Sequence, residues 1–386
     1  MKINTKYKIL QGLYWMLYVL LGGFCVFYLT GRGLSPKEIG TMTAVFGLLS
    51  AVFQYYFARF VDAHSALSFR RVLSVMGTAL MAVFALLLLP TGKLAAVLIF
   101  GMGVFILNAM LPFVNQIAFY YARRGLYADF GSSRGIGSLM FACLSFVLGR
   151  MTCGGNIRII PQTGIVIMGL FIFTVETFPI SDIPEEQSCM AEADSLSMRH
   201  FIKKYPAFFL MMLGCTGLMA FHNIGTAYLL PMIENVGGTT ENLGNALFMA
   251  AILEIPIMLG FTRLLKRFDV EKILIFSGLA FTLKALCFYS AKGMGLIYLG
   301  QTLQMLSFAL NCPATVYYSD KVMEEKDKLT GQALMGMTGI LGNVLGAFFG
   351  GLILSESGVK AMTLFGVIIA ACGTGLTGLS LLRSKK

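Results

Sequence analysis

Two ionisable side chains stand deep inside apolar runs. Glu254 is flanked by Ile252, Leu253, Ile255 and Pro256, and Lys284 lies within Leu-Lys-Ala-Leu-Cys-Phe (283–288). If these runs cross a bilayer, a carboxylate at mid-depth costs about 2.5–3.5 kcal/mol on insertion scales. Such a group belongs on the inside of a helix bundle, either paired or protonated. With about 1.5 Å of rise per residue, Glu254 lies roughly 16 Å and Lys284 roughly 21 Å from the same membrane face. Adjacent antiparallel helices would therefore bring the two within a lysine's reach. Proton uptake or charge compensation beside a polar solute is the chemistry this allows. A purely structural ion pair, or a lysine that snorkels to the interface, is the alternative.

Polar residues in other apolar runs recur at helical spacing. Gln301, Gln304, Phe308 and Asn311 stand at i, i+3, i+7 and i+10, which predicts one shared helix face. Asn108, Pro112, Asn115 and Gln116 form a similar group. Each stripe either lines a cavity or holds helices together by hydrogen bonds. Gln11, Tyr14 and Tyr18 share a face, followed by Gly22 and Cys25. Rings with polar tips suit a sugar, a nucleoside or an aromatic acid. Trp15, the single tryptophan, is equally an interfacial anchor. His222, with Asn223 and Thr226, is a further polar spot, although a lone histidine is more often a packing residue than a proton carrier.

The elements that must position these residues are membrane spans. Of the 386 residues 57% are hydrophobic and 13% are charged, against about 25% charged in a soluble domain. The spacing predicts twelve spans, at 8–30, 38–58, 70–90, 94–119, 132–152, 160–180, 205–231, 241–265, 270–290, 294–318, 329–354 and 359–382. The first is too long for a signal core and lacks a small-x-small cleavage pattern, so it is read as retained. The N-terminus, the even-to-odd loops and the tail hold 22 lysines and arginines and the opposite loops 7, which places both termini in the cytoplasm. The net charge of +11 follows this topology, with no basic face for nucleic acid. A polar stretch at 181–204 separates two six-helix bundles, 1–180 and 205–386, of near-equal length. That equality suggests two repeats related by an axis along the membrane normal. The linker is expected to be flexible and amphipathic, without chemistry of its own. Eight cysteines, mostly in apolar runs, and three histidines form no metal-ligand spacing and no disulfide framework.

Several segments carry a resemblance. Ala-Arg-Phe-Val-Asp (58–62) followed by Arg70-Arg71 resembles a degraded form of the loop signature of the major facilitator superfamily, and 260–267 is a weaker second copy. GLSPKEIG (33–40), FGSSRGIGSLMF (130–141), LEIPIM (253–258), LKALCF (283–288), QTLQMLSF (301–308) and TGQAL (330–334) resemble its lactose-permease-like and phenylpropionate-permease-like branch, in order along nearly the whole chain. Two departures stand out: Gln304 where that branch commonly has histidine, and Asn115 where many members have an acid.

The resemblance implies a transporter working by alternating access around a midplane site. It would act as a cell-membrane monomer without cofactor, metal or nucleic acid. The expected substrate and proton-coupling set is Glu254, Lys284, Gln301, Gln304, Asn311, Asn115, Asn108, Tyr14, Tyr18 and His222. Asp62, Arg70, Arg71 and Arg134 are the expected gate, with simple positive-inside charge an equal reading of Arg134. Proton symport of a small polar or aromatic metabolite leads. The two departures keep efflux and uncoupled exchange open, and a non-transporting sensor is a distant alternative. A polytopic enzyme would need clustered acids, histidines or a phosphate-binding glycine loop, and none is evident.

Overall fold

A computed structural model describes residues 3–63, 69–122, 130–178, 198–324 and 327–384. The described residues are helical almost throughout, as a bilayer requires: only helices and closed barrels satisfy every backbone group without water. Among the described residues eight helices are long and apolar enough to cross. The first span adds Ile3–Gly23 and Cys25–Gly31, bent by 47°. The last of the eight, Leu334–Arg383, turns back at Gly358 (φ 79°) and is two spans. Pro36–Ala63, and a broken span made of Met294–Thr302 and Phe308–Val322, complete twelve. Large apolar side chains such as Leu94, Phe173 and Leu259 point outward, as a lipid-facing belt does.

The helices are α1 (Ile3–Tyr18) and α2 (Cys25–Gly31) in span 1, then α3 (Pro36–Ala63), α4 (Phe69–Leu87), α5 (Lys93–Ala122), α6 (Phe130–Met151) and α7 (Ile159–Glu176) as spans 2 to 6. After the short α8 (Met198–Lys204) come α9 (Pro206–Ala227) and α10 (Leu229–Asn235) in span 7, α11 (Thr240–Leu265) and α12 (Val270–Tyr289) as spans 8 and 9, α13 (Met294–Thr302) and α14 (Phe308–Val322) in span 10, and α15 (Lys328–Ser384), which holds spans 11 and 12. Of the expected linker, 181–197 lie outside the described residues. Its end, α8, packs on the second bundle: Phe201 is buried against Tyr205 and Phe209, and Lys204 bonds Asp327 at 2.7 Å.

The two bundles repeat each other in detail. Span 1 packs on span 5, span 2 on span 4 and span 3 on span 6; spans 7 and 11, 8 and 10, and 9 and 12 pair likewise. The loops before α3 and α11 match. Gly33 and Gly237 both take φ near +80°, 204 residues apart. Glu38 then accepts the Ser35 amide at 2.7 Å, and Asn242 accepts the Thr239 amide at 2.9 Å. These caps satisfy orphan donors at the helix starts.

On the face away from the termini the bundles meet backbone to backbone. A Cβ on Gly149 of α6 would lie 2.8 Å from Gly244 Cα of α11. The related pair joins α3 and α15: a Cβ on Gly40 would collide with the Ala347 carbonyl, and one on Gly351 with that of Pro36. Ion pairs rim the seam, Arg150–Glu241 at 3.4 Å and Lys37–Glu356 at 3.3 Å. This far face is closed.

Candidate functional site

Between the bundles lies a cavity of about 330 Å³. Its first wall comes from spans 1, 2, 4 and 5. The helix of span 1 widens into a π-turn at Val19–Gly23 and bends at Phe24 (φ −107°). The absence of a side chain at Gly22 lets the Tyr18 ring lie against its own helix; a Cβ there would sit 3.1 Å from that ring. Tyr18, Trp15, Asn108, Phe141 and Arg134 face the cavity from this side. The Arg134 guanidinium stacks 3.7 Å over the Trp15 ring and donates to Ser138 Oγ at 2.8 Å.

The second wall comes from spans 7, 8, 10 and 11. His222 lies flat on Phe308, with ring centroids 4.2 Å apart and planes at 7°. Beside it Asn223 donates to Asn343 of α15. His222 Nδ1 and Asn223 Oδ1 are buried and have no hydrogen-bond partner among the described residues. Glu254 is held mid-span, two residues before Pro256, whose missing N–H leaves the Ile252 carbonyl unbonded in the helix.

Glu254 and Lys284 do not touch; an amide joins them. Gln304 donates from Nε2 to Glu254 Oε1 at 2.8 Å, and its Oε1 accepts from Lys284 Nζ. The order carboxylate, amide, ammonium uses each end of the amide dipole against the charge it suits. Glu254 and Gln304 line the cavity, whereas Lys284 stands behind the amide, 1% exposed.

The sequence matches the MFS_1 like family over residues 7–366. The chain belongs to that family. As a member of this major facilitator group it is a multi-pass membrane protein and a secondary transporter, not an enzyme. It is 22% identical to an uncharacterized transporter, YwbF, of Bacillus subtilis (strain 168), over 72% of this chain and 68% of that protein. It is 29% identical to a maltose permease of Geobacillus stearothermophilus, over 37% of this chain and 36% of the permease. In shape it resembles the crystal structure of a mutant of the nucleoside transporter NupG, with a TM-score of 0.84, 17% identity, and 98% and 99% of the two chains covered.

In this MFS_1 like chain the expected residues divide. Glu254, Gln301, Gln304, Asn108, Tyr18 and His222 line the cavity. Tyr14 does not: it is buried and donates to the Leu107 carbonyl at 3.0 Å. Asn115 is turned to span 1, where Gln11 Nε2 donates to its Oδ1 at 3.1 Å. The expected single face on span 10 is broken. A 3-10 turn at Leu303–Met305 and a non-helical Ser307 (ψ −88°) rotate α14, so Asn311 bonds Ser277 Oγ of α12 at 3.1 Å.

The expected gate is also redistributed. Arg70 pairs with Glu176 inside the first bundle, joining α4 to α7, and Arg71 is exposed. Arg134 lines the cavity. The Asp62 side chain lies outside the described residues. The sequence offers Trp15 a second reading as an interfacial anchor, and it sets Asn343 in a row with Gly336, Gly339, Gly346 and Gly350 whose helical spacing reads as a seam for close helix packing. In the fold, Gly346 and Gly350 close on span 7 while Gly339 and Asn343 face the cavity. The asparagine in a row of glycines was the available signal.

Proposed function

We propose that this chain carries a small polar or aromatic metabolite across the cytoplasmic membrane by alternating access, as a proton symporter. On this reading both termini are cytoplasmic, from the lysine and arginine count, and the closed far face makes the present conformation inward-open. The bundles 1–180 and 205–386 rock about the cavity, and 181–204 tether them. One observation carries the reading: the cavity sets ring faces, Tyr18 and Trp15 on one wall and the His222–Phe308 stack on the other, around a carboxylate that among the described residues has one oxygen bonded.

A ring slotted between such faces, with hydroxyls reaching amides, describes a nucleoside or a sugar. The names of the relatives, a nucleoside transporter and a maltose permease, point to the same class. Glu254 takes up the proton when solute binds, since a charge that must move between two faces is otherwise costly at mid-membrane.

The test is uptake of labelled uridine and maltose by proteoliposomes under an inward proton gradient. Uptake of either should follow the gradient, and Glu254→Gln should abolish accumulation while leaving counterflow intact. Gradient-driven accumulation that survives in Glu254→Gln would end the coupling role. A second reading, uncoupled exchange, draws on the Gln304 bridge, which already balances Glu254 with Lys284. Counterflow without any gradient dependence in the unaltered chain would favour it.

A further inference from the structure

Behind Trp15 lies a polar network that the cavity itself does not contain. Gln11 is fully buried, and its side chain has three partners. Nε2 donates to Tyr7 Oη at 2.8 Å and to Asn115 Oδ1 at 3.1 Å. Oε1 accepts from Trp15 Nε1 at 3.3 Å. A primary amide has two N–H donors and one acceptor oxygen, and here every group is used. The arrangement allows no flip: reversing the amide would set its N–H₂ against the indole N–H, donor against donor. The same five-membered edge of the indole is fitted by Gly137, where a Cβ would strike Cδ1 and lie 3.2 Å from Nε1. Arg134 then stacks on this fixed plane, and among the described residues no carboxylate lies within ion-pair distance of it.

We propose that Gln11 is a positioning residue of the transport site: it sets the plane of Trp15, and through that ring the place of the Arg134 guanidinium in the cavity. The inference rests on reading the cavity as the transport site. Glu254 acts on the cation only at a distance, from the opposite wall of the cavity and with no ion pair between them among the described residues, so the ring beneath it and Ser138 Oγ fix where it sits. Removing the amide strands the indole N–H in an apolar setting, and the ring turns to satisfy it.

Trp15 is the only tryptophan, so its fluorescence reports this one place in the full-length protein. In the purified chain, iodide should quench Trp15 more than caesium does, because Arg134 draws anions to the ring. Gln11→Leu should lower the fluorescence anisotropy and reduce the iodide-to-caesium ratio. Gln11→Glu, which keeps an acceptor for the indole but loses both donor arms, should give an anisotropy between those of the parent and Gln11→Leu. Asn115→Ala, which frees one arm of the amide, should shift both signals in the same direction as Gln11→Leu but less, and it decides the matter if Gln11→Leu does not fold.

In transport, Gln11→Leu should raise KM about 3- to 10-fold with kcat little changed, the loss expected for about one hydrogen bond. Combined with Trp15→Phe, which has no N–H to orient, Gln11→Leu should add nothing further. Unchanged anisotropy and quenching in the folded variants would overturn the proposal, as would altered fluorescence with wild-type KM. Failure of uridine and maltose uptake would count against the substrate class alone, because the quenching arm needs no substrate.

Discussion

Gln304→Leu tests the bridge between Glu254 and Lys284 directly. The amide makes two charge-assisted hydrogen bonds, one to each ion. In soluble proteins such a bond contributes about 1.5–3 kcal/mol. Inside membranes the measured mean for polar pairs is nearer 0.6 kcal/mol, with a maximum of about 1.7, because the unfolded helices find other partners. Two bonds to ions at the upper end of that range give a loss of about 2–3 kcal/mol. Lys284 can recover part of it by swinging into the space the amide leaves and pairing with Glu254. Its lining of Phe288, with the ammonium 5.5 Å from that ring, does not block the move.

The expected result is therefore a clear fall in thermal midpoint, followed by Trp15 emission, together with altered pH dependence of uptake as Glu254 exchanges an amide neighbour for a cation. Gln304→His, which keeps one donor and one acceptor, should recover most of the midpoint. An unchanged midpoint and an unchanged pH profile in Gln304→Leu would show that the bridge contributes nothing, and the charge-compensation argument would fall with it.

Other perturbations separate packing from transport. Gly244→Ala places a methyl against the Ser145 carbonyl and Gly149, so it should hold the far face ajar, making a cysteine at Asn245 more reactive to impermeant thiol reagents than in the parent. Asn311→Ala removes only the bond to Ser277, and should cost about 0.6–1.7 kcal/mol of stability while leaving KM unchanged, by thermal unfolding and uptake. Asp327→Asn weakens the hold on Lys204 and Tyr205, leaving Glu324 as the remaining carboxylate 2.7 Å from Lys204, and trypsin should then cut within α8 faster. In the parent, Asp327 and then Glu324 raise the Lys204 pKa above its ordinary value, so the ammonium stays charged at every physiological pH and the clamp should show no pH dependence between about 6 and 8.

Apolar run length and the placement of Glu254 made the helices and the central site legible in sequence. Interruptions were harder. A regular period cannot reveal a π-turn at Val19–Gly23 or a 3-10 turn at Leu303–Met305, because both keep the composition of a span while changing which face follows the break. That is why Asn311 was placed with Gln304, and why Lys284 was expected to meet Glu254 with nothing between them. Tyr14 and Asn115 shared faces with Tyr18 and Asn108, but a bundle has neighbours on several sides, and these two turn to other helices of their own bundle. The repeat was visible as equal halves and as a weak second copy of the loop signature at 260–267. Its sharper sign, Gly33 and Ser35 recurring as Gly237 and Thr239, is carried by turn chemistry, since the surrounding letters differ.

The seam at Gly149 and Gly244 has a further consequence. Its core is peptide backbone with no titratable atom, and the ion pairs at its rim are exposed enough for salt to screen them. On that face acidity and ionic strength act on the exposed rim alone and leave the backbone contact untouched. What unlatches it must come from within, through the contents of the chamber and the tilt of the helices around them.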